Sequence, residues 1–108
     1  MTMHIAADEL LQELARLEDT MVTVARQAGS GHDPGLERRL DTHLRALRVL
    51  LDANGAAVAE DAVDAAKRAL DTAEPDAPLL MLKMARNSLA AVVRRQAARS
   101  DAWDARAA

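Results

Sequence analysis

The chain has 108 residues, a formal charge of −3, and no cysteine, tyrosine or phenylalanine. That length predicts one domain; the lack of cysteine excludes disulfides and thiolate metal sites, and so small a net charge exerts no general pull on nucleic acid. Its apolar content comes from 25 Ala, 15 Leu and 7 Val, so leucine must supply the buried area that aromatic rings usually provide. The longest unbroken apolar run of large side chains, residues 79–82, is far short of the ~20 residues that cross a bilayer. No basic, apolar, small-residue order at the N-terminus resembles a signal peptide, and the expected location is the cytoplasm.

Apolar residues recur at alternating three- and four-residue steps in four runs, the spacing that keeps one side of an α-helix against a partner. The first run is Ala7, Leu10, Leu14, Leu17, Met21, Val24 and Ala28. It predicts a helix over residues 8–28, with Asp8 and Glu9 in its first turn and Gly29-Ser30-Gly31 ending it. Asp33-Pro34 then supplies an N-cap and a proline at the first helical position. The second run, Leu36, Leu40, His43, Leu47 and Leu50, predicts a helix over 34–53 closed by Asn54-Gly55. The third, Ala59, Val63, Ala66, Leu70 and Ala73, predicts a helix over 57–73, broken by the two prolines Pro75 and Pro78. The fourth, Leu82, Ala85, Leu89, Val92 and Gln96, predicts a helix over 78–98, followed by a short tail, 99–108, in which Ser100-Asp101 caps at most one further turn.

Short connections between helices of similar length favour antiparallel neighbours. The chain therefore reads as an all-α, up-down-up-down four-helix bundle forming a single domain over residues 1–108. Charge agrees: residues 1–33 carry net −4, residues 34–54 net +1, residues 55–77 net −4 and residues 78–108 net +4. In an up-down bundle every sequence-neighbour contact then joins an acidic helix to a basic one, and like charges fall on the diagonals. That disfavours wrong pairings more than it stabilises the right one. Helix three offers mostly methyl groups to the core, and a chain this short buries only about two-thirds of its unfolded surface. Both point to completion of the core by homodimerisation.

No enzyme is expected. The chain has no glycine-rich phosphate loop, no cysteine nucleophile and no Glu-x-x-His ligand set of the kind that di-iron bundles turn inward. Its carboxylates read as outer-face residues, and no cofactor or small-molecule substrate is indicated. His32 lies in a glycine-rich loop and reads as solvent-exposed. His43 occupies a stripe position in helix two. A mid-helix histidine in a bundle is similar to the phosphoacceptor of histidine phosphotransfer domains, which carry Lys three residues later and a small residue at the fourth. The matching positions here are Ala46 and Leu47, with the cation at Arg45; the simpler reading of His43 is a hydrogen-bonded boundary residue.

Lys83, Arg86, Arg94, Arg95 and Arg99 make helix four basic, and Arg38, Arg39, Arg45 and Arg48 do the same for helix two. These helices are diagonal in the expected bundle and no aromatic residues interleave for base stacking, so nucleic acid is an unfavoured partner. Removal of Met1 would expose Thr2-Met3-His4, whose amine, amides and imidazole form a square-planar site suited to Cu(II) or Ni(II); the pattern is common by chance. The strongest non-structural signal is Leu79, Leu80, Met81 and Met84. Consecutive residues point around a helix, so with Leu82, Ala85 and Leu89 inward, Leu80 and Met84 face away, continued by Ala91 and Ala98. Methionine is frequent where surfaces adapt to partners. The leading function is a non-enzymatic protein-interaction module acting as a homodimer. The alternatives are a phosphotransfer-like bundle using His43 and a nucleic-acid-binding regulator using helices two and four.

Overall fold

The computed structural model describes residues 2–107, with side chains described for residues 7–100. Among them are four helices and no strand: α1 (Thr2–Arg26), α2 (Pro34–Leu50), α3 (Ala53–Asp71) and α4 (Asp76–Ala107). They form an antiparallel all-α bundle in which α1 touches α2 and α4, and α3 touches α2 and α4. At 1.5 Å per residue, the 32 residues of α4 run about 48 Å and set the long dimension of a body measuring 53 × 23 × 20 Å.

The diagonals are unequal. The backbones of α1 and α3 approach closely across the bundle, whereas those of α2 and α4 stay apart. The cause lies in α3, whose Ala59, Ala62, Ala66 and Ala69 are fully buried. A face of methyl groups lets the opposite helix approach, and the leucines of α1 and α2 fill the remaining space: Leu14, Leu17, Leu36, Leu40 and Leu47 join Val63, Leu70, Leu89 and Val93 in one core. Leu44 in α2 and Leu51 just after it are buried beside the expected stripe, while His43 and Leu50 are only half-buried.

Several helix ends differ from expectation. α1 begins at Thr2, before Asp8, because no glycine or proline interrupts residues 2–7; Asp8 and Glu9 are therefore not in its first turn. Asp33 caps α2 as expected, accepting the Leu36 N–H at 3.0 Å, with Pro34 at the first position. Asn54-Gly55 does not close α2. Asp52 is the N-cap of α3 and accepts the Gly55 N–H at 2.8 Å, so only Leu51 and Asp52 connect the helices. Gly55 serves close packing: a Cβ there would stand 3.1 Å from Leu51 Cδ2 and 3.2 Å from Val92 Cγ1.

Pro78 lies in the first turn of α4, where its missing N–H costs nothing, so the helix starts at Asp76. No separate tail follows residue 98: α4 continues to Ala107. The Ser100 hydroxyl donates back to the Gln96 carbonyl at 3.1 Å, bonding within the continuing helix where a new cap was expected.

The loop between α1 and α2 does more than turn the chain. Gly29 and Gly31 have φ of 80° and 98°, left-handed values that glycine adopts without steric cost. Their N–H groups donate to the Ala69 and Leu70 carbonyls at 3.1 and 3.0 Å. The loop thus satisfies carbonyls that the end of α3 would otherwise leave open.

Candidate functional site

His43 comes off the α1-facing side of α2 and lies against α1. Its side chain is 15% exposed, and its Nδ1 stands 2.7 Å from Glu13 Oε1. A carboxylate only accepts, so Nδ1 carries the proton. In the neutral ring Nε2 is then an acceptor, and Thr20 Oγ1, 2.9 Å away, donates to it. Glu13 is held further by Arg16, whose Nη1 donates to Oε2 at 3.0 Å. Arg39 reaches across from α2 and donates to Thr20 Oγ1 at 3.4 Å.

Glu13 corrects the expectation that carboxylates lie on outer faces: it is 9% exposed, and Thr20 is 1% exposed. Both flank the leucine stripe of α1, seven residues and so two turns apart, on the side facing α2. Their signal is visible only once α1 and α2 are folded together. A hairpin hinged at Ser30 sets His43 opposite Leu17, within one turn of both Glu13 and Thr20.

The result is a carboxylate, an imidazole and a hydroxyl in line. The order matches a hydroxyl nucleophile with its base and orienting acid, but the Thr20 hydroxyl is closed off from solvent. Both ring nitrogens of His43 are engaged, so neither offers a lone pair to an incoming phosphoryl group in this arrangement. His32 has a 68% exposed side chain; its Nδ1 lies 2.8 Å from Glu37 Oε2, close enough for an ion pair when protonated but off the direction of a hydrogen bond. The side chain of His4 lies outside the described residues, as does that of Trp103. Among the described residues no three His, Asp or Glu side chains gather as metal ligands, and no helix is long and apolar enough to cross a membrane.

The apolar start of α4 divides in two. Leu79 packs against the core and, with Leu82, Met21, Val22 and Ala25, lines a groove between α1 and α4 whose rim carries Arg26, Lys83 and Arg86. Leu80, Met81 and Met84 are 60%, 52% and 61% exposed. Helical spacing continues the Leu80–Met84 strip through Asn87 and Ala91, both exposed, on the side of α4 opposite the buried Leu82, Leu89 and Val93. The basic residues of α2 and α4 remain on separate helices whose backbones stay apart on the longer diagonal. Searches against family models, curated proteins and solved structures found no match to this chain.

Proposed function

We propose that the chain is a non-enzymatic interaction module of the cytoplasm, working as a homodimer whose two copies meet along the outer face of α4. The observation that carries this reading is the exposure of Leu80, Met81 and Met84 on a helix whose inner side is already filled by Leu82, Leu89 and Val93. A second copy suits the strip in size and charge. Two antiparallel α4 helices, centred between Met84 and Asn87, set Leu80 of each against Ala91 of the other. The same register brings Asp76 opposite Arg95, all four positions being exposed in the single chain. Contacts about a two-fold axis are self-complementary in this way.

The near-complete burial of Thr20, whose hydroxyl proton is spent on His43, supports a non-enzymatic reading. The phosphoacceptor reading of His43 draws no support from a ring bonded at both nitrogens, nor the nucleic-acid reading from basic residues on two diagonal helices. Light scattering tests the proposal. The wild type should weigh about twice the 11.6 kDa of one chain, and the Leu80→Lys, Met84→Lys variant should weigh one chain with its helical circular dichroism intact. A wild type that stays monomeric at hundreds of micromolar overturns it.

A further inference from the structure

The hydrogen-bonded chain around His43 is the floor of a cleft between α1 and α2, with a volume of about 420 Å³. Three arginines line it: Arg16 from α1, Arg38 and Arg39 from α2. Arg16 is held by Glu13, whose other oxygen is spent on His43. Among the described residues the Arg39 guanidinium donates to the Thr20 hydroxyl and pairs with no carboxylate, and the Arg38 guanidinium makes no ion pair or hydrogen bond. Elsewhere Arg48 of α2 and Lys67 of α3 are matched, to Glu60 and Asp41. Asp19 is the one carboxylate lining the cleft, and it pairs with none of the three. With Glu13 neutralising Arg16 and Asp19 on the rim, the cleft holds an excess of about one positive charge.

We infer that this cleft binds the phosphate group of a small, soluble phosphate monoester. Guanidinium groups present paired donors that match phosphate oxygens, and two of the three are without a carboxylate to release. Gly35 forms part of the wall without a side chain. The volume lies near the lower end of ligand pockets, which suits a phosphate on a short carbon skeleton. His43 and Thr20 line the cleft already hydrogen-bonded, His43 held from behind by Glu13, which spares the ligand the cost of ordering them. The site lies between α1 and α2, on other residues than the α4 strip, and stands or falls independently of dimerisation.

The test is a titration with glycerol phosphate at constant ionic strength, followed by the ¹⁵N signals of the His43 ring. Saturable shifts are expected. Arg38→Gln and Arg39→Gln should each weaken binding about tenfold, the loss of one charge-assisted hydrogen bond, with helical circular dichroism retained. Asp19→Asn should tighten binding, and Arg94→Gln, on the far helix, should leave it unchanged. Shifts that never saturate, equal weakening by Arg94→Gln, or binding to phosphatidic acid vesicles without binding to glycerol phosphate would each overturn the assignment.

Discussion

Glu13 and His43, thirty residues apart in sequence, meet at 2.7 Å with their side chains 12% and 15% exposed. The contact fixes the register of α1 against α2 at a level where apolar packing alone tolerates sliding. It also holds Thr20 and Arg16 in place through the remaining atoms of each partner.

The first prediction concerns that pair. Glu13→Leu leaves the imidazole proton unpaired, and His43→Leu leaves a largely buried carboxylate with Arg16 alone. Each change should cost about 1–3 kcal/mol in urea unfolding, and the double variant should lose less than the sum, because replacing both partners by apolar groups removes the unsatisfied atoms. A coupling energy of about 1–2 kcal/mol is expected from the cycle. Strict additivity would show that the two residues stabilise the fold separately.

A second prediction rests on Gln96. Its Nε2 donates to the Leu50 carbonyl at 2.7 Å and its Oε1 accepts the Asp52 N–H at 3.1 Å, so α4 clamps the two-residue link between α2 and α3. Gln96→Leu keeps the volume and removes both bonds. The expected loss is about 1 kcal/mol, with an unchanged denaturant slope and faster hydrogen exchange at the Asp52 amide. Exchange at the wild-type rate would show that the link holds its shape without the clamp.

The third addresses the methyl face of α3. Ala66 is fully buried, and Ala66→Leu adds three carbons where α1 and α3 close the short diagonal. Overpacking should cost about 1–3 kcal/mol, read as a lower melting temperature. Leucine is nearly as good a helix former as alanine, so the loss is one of packing. Ala57→Leu, exposed on the same helix, should change little. Equal effects at the two positions would remove the physical basis of the unequal diagonals.

Much of the bundle is legible in the residues themselves. Leu10, Leu14, Leu17, Met21 and Val24 announce α1 by spacing, and all five are buried. Asp33-Pro34 marks the start of α2 through local capping chemistry, which needs no tertiary partner. The four neighbour contacts each join an acidic helix to a basic one as the charge pattern implies, but the α1–α3 diagonal also brings two acidic helices together, through the alanine face of α3. Asn54-Gly55 is the instructive miss. Taken alone the dipeptide is a helix terminator, but its glycine lies in the first turn of α3, where a Cβ would crowd Leu51 and Val92.

The helical periodicity, the cap at Asp33, the outward strip at Leu80 and Met84, and the all-α class follow from the sequence alone, because each depends on residues within two or three turns of one another. The tertiary structure decided the inward placement of Glu13, the engagement of both His43 nitrogens, the Gln96 clamp and the gathering of Arg16, Arg38 and Arg39 around one cleft. Those features join residues 19 to 46 positions apart. A polar side chain beside an apolar stripe looks solvent-facing until the helix that supplies its partner is laid against it.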